Sequence, residues 1–169
     1  MPADPTEILA VDDDALIRPF RVVFWIIWGS LLASLAIYVV VGHVILPARP
    51  PSAPVEIVYA LAAVALAIAV AAPVVRARLL PKAVPLGAPG TMRRDAAERA
   101  LAPYFVAQII TLALYESIGV LGLVTTVVTA NPRYIMIFVA VAAAGMLVFR
   151  PSDERMRGTL RAALLHPPQ

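Results

Sequence analysis

Long apolar runs alternate with short polar connections along this chain, and the lengths of the runs predict helices that cross a bilayer. Four runs stand out, over 22–46, 55–75, 104–130 and 134–149. At about 1.5 Å rise per residue the first three match or exceed a hydrocarbon core of roughly 30 Å. The fourth reaches only about 24 Å, so its ends draw on Asn131 or the bilayer thins around it. The predicted fold is all-α, a polytopic membrane protein with four transmembrane helices arranged as two antiparallel hairpins.

The breaks between runs have identifiable causes. The first is Pro47-Ala-Arg-Pro-Pro-Ser-Ala-Pro54, where proline cannot continue a helix. Glu56 follows in the first turn of the next helix, where the helix dipole favours a carboxylate. Pro73 predicts a kink or an early end to the second span. Residues 76–103 form the largest polar connection, with a loop over Pro81–Gly90 and Thr91 capping a short helix from Met92 to Leu101. The third span then starts at Pro103. A turn at Asn131-Pro132-Arg133 leads into the fourth span, which Pro151 ends.

Both chain ends are polar. Segment 1–21 is acidic, carries no cleavable signal, and predicts a turn or two of helix over Thr6–Ile17. Asp12, Asp13 and Asp14 lack the alternating ligand spacing of a metal loop and read as a solvated run. In 150–169, Ser152 can cap a helix through about Leu165, with Asp153 and Glu154 in its first turn. Met156, Leu160, Ala163 and Leu164 fall near one side of it, accompanied by Arg155, Arg157 and Arg161. That pattern predicts a short helix lying on an anionic membrane surface, with a solvated tail as the alternative.

Charge adds orientation. Of the 14 Lys and Arg residues, 12 lie on one side of the four runs, and only Arg49 and Arg133 lie on the other. The positive-inside rule then places both termini and the 76–103 loop in the cytoplasm. Arg76, Arg78, Arg93, Arg94, Arg155, Arg157 and Arg161 are the expected contacts with lipid headgroups. The net charge of +3 needs no nucleic acid, because topology accounts for the basic residues. An apolar fraction of 61% and a mean hydropathy of +0.84 exceed what soluble domains carry. Abundant Ala, Val, Arg and Pro suit a GC-rich bacterial genome, hence an inner (plasma) membrane. The absence of cysteine excludes disulfides and thiol chemistry.

One residue carries candidate chemistry. Glu116 is the single ionisable side chain in the middle of the third run, and a carboxylate at bilayer centre costs about 2.5–3.5 kcal/mol on insertion scales. At about 100° per residue, Gln108, Gly119, Gly122 and Thr126 fall on one flank of it, and Ala113 and Ser117 on the other. A small, polar stripe should face protein or water. Glu116, with Ser117 and Gln108, is therefore the candidate proton- or ion-binding site. Its carboxyl holds a proton, binds a cation, or accepts hydrogen bonds from a neighbouring helix.

Small residues predict packing. Ala63 and Ala67 of the second span are expected to meet Gly119 and Gly122 of the third, because small side chains let backbones approach closely. Ser30 and Ser34 offer a similar face on the first span, and Trp25 and Trp28 suit the headgroup boundary. His43 reads as an interfacial side chain, and no metal or cofactor is expected.

From Val55 to Val128 the chain resembles the c subunit, or proteolipid, of rotary ATPases. The likeness rests on Arg93-Arg94-Asp95 before the third span, on LALYESIGVLGLV around the carboxylate, and on the alanine repeat in place of a glycine-rich inner helix. It implies a helical hairpin with a basic loop, with Glu116 as the ion-binding carboxylate and Gly122-Leu123-Val124 as the residues that follow it. Glu116-Ser117 is similar to the pairing in some sodium-binding members.

Two functions follow. One is a small membrane subunit in which Glu116 handles a proton or cation. The other is a structural or accessory subunit of a membrane complex in which Glu116 holds helices together by hydrogen bonding. Either implies lipid, further membrane subunits or a second copy as partners. No nucleophile elbow, phosphate loop or Cys/His set points to an enzyme.

Overall fold

The structure is a computed structural model that describes residues 5–44, 54–80 and 93–158, with side chains over 17–44, 54–80 and 101–158. Four helices follow in chain order: α1 (Pro5–Val44), α2 (Val55–Leu79), α3 (Arg93–Thr129) and α4 (Arg133–Val148). A further helical stretch covers 153–158, and there is no strand among the described residues. Three segments, Ile17–Val44, Val55–Leu79 and Leu101–Thr129, are long and apolar enough to cross a membrane, while α4 is a shorter apolar helix of 16 residues.

Polarity is distributed as lipid requires. The buried polar residues Gln108, Thr111, Thr125, Thr126 and Thr129 all lie on α3, in the middle of the bundle. Ile26, Ile37, Leu66, Val70 and Ile137 point outward. In water such a surface would be a large apolar patch; facing acyl chains it is the favourable arrangement. Thr111, Thr125 and Thr129 each donate to the carbonyl four residues earlier, so their hydroxyls need no partner from another helix.

α3 is the hub. It packs against α1, α2 and α4, and α1 also packs against α4. The main core joins Phe24 and Leu35 of α1, Ala65 and Ala72 of α2, Leu112, Tyr115 and Ile118 of α3, and Phe138, Ala142 and Met146 of α4. The α3–α4 turn is tight: Ala130 adopts a left-handed φ of 54°, and Asn131 Oδ1 accepts from the Arg133 N–H at the start of α4.

Several boundaries differ from expectation. α1 is continuous from Pro5, running through Pro19 rather than breaking between a polar segment and a span. α2 continues through Pro73 to Leu79, and α3 begins at Arg93 and runs through Pro103. A proline inside a helix removes one backbone hydrogen bond, and membrane helices tolerate this. The predicted loop over Pro81–Gly90 and the Thr91 cap lie outside the described residues, as do Leu160–Leu165 of the predicted C-terminal helix.

The 153–158 stretch does not stand apart from the bundle. Met156 is 3% exposed and packs with Ile17, Leu101 and Tyr104, and Arg21 holds Asp153 in a 3.0 Å ion pair. The predicted surface helix is thus, over its described part, a docked one: its apolar side covers the basic end of the bundle.

Candidate functional site

α1 and α3 bring three oxygen-bearing side chains together halfway along their spans. Glu116 Oε1 lies 2.7 Å from Ser34 Oγ and 3.1 Å from the Tyr38 hydroxyl. Ser34 and Tyr38 are four residues apart, so α1 places them one above the other on a single face. Gly119, one turn beyond Glu116, leaves the room for this approach: a side-chain carbon there would collide with Leu35 of α1. The site is half-buried, at the seam between α1 and α3.

Counting protons defines what the site can hold. Ser34 Oγ is also 2.8 Å from the carbonyl oxygen of Leu31. The cluster therefore has three short contacts: Ser34 with Leu31, Ser34 with Glu116, and Tyr38 with Glu116. A hydroxyl has one proton to donate and an ionised carboxylate has none. With Glu116 as carboxylate, two O–H groups serve three contacts. Ser34 donates to Glu116 with its proton shared toward the Leu31 carbonyl when Glu116 is a carboxylate, whereas an acid supplies a third O–H that frees the Ser34 proton for Leu31. The geometry accommodates one proton beyond the two hydroxyls.

The residues expected beside Glu116 are placed elsewhere. Ser117 is exposed and donates back to the Ala113 carbonyl at 2.9 Å. Gln108 is 1% exposed but sits two turns away, where its amide donates to the Phe149 carbonyl and its Oε1 is buried with no hydrogen-bond partner among the described residues. Gly119 and Gly122 are buried as close-approach points, but not for α2. Gly119 receives Leu35 and Tyr38 of α1, and Gly122 receives Phe138 of α4. Ala63 and Ala67 are exposed, and α2 instead buries Val58, Ala65 and Ala72. The expected pairing of Ala67 with Gly119 is therefore not made. Small residues stripe more than one side of α2, so their spacing alone left its buried face undetermined.

Sequence reasoning missed Tyr38 and read Ser34 only as a packing residue. The available signal was their i, i+4 spacing at the depth of Glu116. Trp28, expected at the headgroup boundary, donates its indole N–H to the Met146 carbonyl of α4 at 3.1 Å. His43 is exposed, with Nδ1 2.9 Å from the Val39 carbonyl of its own helix. Of the arginines expected to meet lipid headgroups, Arg78 and Arg155 are exposed and Arg76 and Arg157 half-buried. The side chains of Arg93, Arg94 and Arg161 lie outside the described residues. Compared with models of known protein families, with curated proteins and with solved structures, the chain matches none.

Proposed function

We propose that this protein is a small integral membrane subunit in which Glu116 takes up and releases a proton within the bilayer. The supporting observation is the cluster itself: the Ser34 and Tyr38 hydroxyls converge on Glu116 Oε1 at 2.7 and 3.1 Å, an arrangement that accommodates one further proton. A proton suits this cluster better than a metal cation, because Ser117, the neighbour a proteolipid-like sodium site would use, points outward. The likeness to the rotary c subunit is kept only at the level of its chemistry, a membrane-embedded exchangeable carboxyl. α1 covers the carboxyl from the same chain, which leaves no need for a ring of hairpins to bury it.

The test is a hydrophobic carbodiimide, which modifies protonated carboxyls in lipid. Labelling is expected at Glu116, with loss in Glu116→Gln and a clear change in rate in Ser34→Ala and Tyr38→Phe. Absence of label on Glu116 in the wild-type protein at any pH would remove the proposal.

A second reading has its own support. α1 meets α3 where the two hydroxyls reach Glu116, so the cluster also acts as a latch between the helices. On this reading the protein is a structural or accessory subunit, and labelling is incidental.

The topology we propose has four spans, with α4 as the fourth, and both termini in the cytoplasm of a bacterial inner membrane. The 12-to-2 distribution of basic residues supports it. Reporter fusions after Gln169 and within Pro50–Ser52 are expected to report cytoplasm and exterior respectively. A cytoplasmic signal from Pro50–Ser52 contradicts this topology.

A further inference from the structure

Glu116 keeps one carboxyl oxygen out of the α1–α3 seam. Ser34 Oγ and the Tyr38 hydroxyl both meet Oε1, at 2.7 and 3.1 Å. Oε2 has no hydrogen-bond partner among the described residues, and protein does not wall it in. Ala113, Ser117 and Val120 flank Glu116 on the side of α3 opposite Gly119, and all three are exposed. Ser30 and Ile37 of α1, on the side of Ser34 away from Leu35, are exposed as well. The carboxyl thus opens sideways between α1 and the free face of α3, at the midpoint of the Leu101–Thr129 segment.

Charge decides what can enter this opening. A bare carboxylate facing hydrocarbon is costly, so the proton leaves readily only as another positive charge arrives. The runs 22–46, 55–75, 104–130 and 134–149 contain no lysine or arginine, so no cation of the chain lies at that depth. A hard metal ion takes about six oxygen ligands. No group of three His, Asp or Glu side chains gathers among the described residues, and the Ser30 and Ser117 hydroxyls turn back to carbonyls of their own helices. An organic ammonium or phosphonium asks for less: one counter-charge, which Oε2 supplies, and apolar surroundings, which Ala113, Val120 and Ile37 supply.

We infer that this opening binds lipophilic organic cations, which enter from the bilayer and displace the Glu116 proton. The exchange balances: the protonated carboxyl and one monovalent cation give a carboxylate–cation pair and one released proton. The inference rests on the proton-exchange reading of Glu116 and adds a substrate class to it. Tyr38 is the titratable neighbour facing the carboxyl. Tyr115 is stacked on Phe149, and neither α2 over 60–75 nor α4 over 135–148 carries a titratable side chain.

The test uses the full chain purified in a non-ionic detergent, with tetraphenylphosphonium as the probe and tetraphenylborate as its anion of the same shape. Binding heats in two buffers of different protonation enthalpy report affinity and proton release together. Tetraphenylphosphonium is expected to bind saturably and to release a proton as it does. Its affinity should rise about tenfold per pH unit while the carboxyl is protonated, because proton and cation compete for one group. It should also protect Glu116 from a hydrophobic carbodiimide. Glu116→Gln should weaken binding about tenfold or more and abolish the proton release, and Glu116→Asp should recover part of both. Ala113→Phe fills the opening from an exposed position and should weaken the cation too, so it remains informative if Glu116→Gln fails to fold. Three results overturn the inference while the proton-exchange reading stands: labelling of Glu116 that saturating tetraphenylphosphonium does not slow, equal binding of tetraphenylborate, or unchanged binding in folded Glu116→Gln. Absence of label on Glu116 at any pH removes both.

Discussion

Glu116→Leu is expected to abolish proton exchange by the membrane-embedded part of the protein while leaving it folded. The acid carbonyl stretch in infrared difference spectra, recorded between acidic and alkaline buffer in reconstituted vesicles, is the direct readout. The wild-type signal should vanish in both Glu116→Leu and Glu116→Gln, because neither side chain carries an exchangeable carboxyl proton. Stability separates the two proposed functions. Interhelical hydrogen bonds in membranes contribute about 0.6 kcal/mol each on average, so losing the two to Ser34 and Tyr38 should cost roughly 1 kcal/mol. Glutamine keeps the shape and accepts from Tyr38, so it should cost less. If function in the native membrane survives Glu116→Gln and falls with Glu116→Leu only as far as stability falls, the carboxyl is a latch. If both substitutions eliminate function in a protein that still assembles, proton exchange is its role.

Gly145→Val should cause the largest loss of stability among single substitutions in α4. A side-chain carbon at Gly145 would run into the ring of Tyr115, which is itself buried and stacked on Phe149 with 5.7 Å between centroids. A ring held on both sides cannot swing aside as a leucine tip can. Overpacking of this kind costs about 1–3 kcal/mol, and valine adds two methyls beyond the carbon that already collides. Gly145→Ala should lie lower in the same range. Gly29→Ala is the matched control, because nothing lies within 4 Å of its Cβ position, and helix propensity there favours alanine by up to about 1 kcal/mol. Unfolding midpoints in a denaturing detergent titration check the pair. Adding Tyr115→Leu to Gly145→Ala should restore part of the loss, since the two residues share one volume. An unchanged midpoint for Gly145→Val would mean that α3 and α4 do not meet as described.

The apolar helices were legible because a bilayer imposes one coarse rule, apolar length, and Leu, Val, Ala and Ile obey it; three of the four runs form helices long enough to cross. Glu116 was legible for the complementary reason: a lone ionisable group in such a run has few bland explanations. The same helix wheel separated Gln108, Gly119, Gly122 and Thr126, now buried, from Ala113 and Ser117, now exposed. Which helix each small residue meets was not legible. Gly119 and Gly122 are three residues apart on the same flank, their directions only about 60° apart, yet one receives α1 and the other α4. Tyr38 escaped notice because tyrosine in a span reads as apolar bulk or an interface anchor, and its hydroxyl acquires meaning only from what stands opposite. Pro73 was read as a kink or early end and Pro103 as a span start, but each, like Pro19, interrupts a single rung of its helix.

α3 places Glu116 23 residues after Arg93 in one unbroken helix, roughly 35 Å of rod. Only its part from Leu101 onward is long and apolar enough to cross a bilayer, and eight further helical residues precede it. No break in the helix separates the carboxyl from the charged N-terminal end of α3. A turn of α3 about its axis, of the size needed to bring Glu116 out from under Ser34, would reach Arg93 at nearly full amplitude. The rung missing at Pro103 is the point of compliance along that shaft. The carboxyl is thus carried on one continuous shaft whose far end is the charged Arg93-Arg94-Asp95 run.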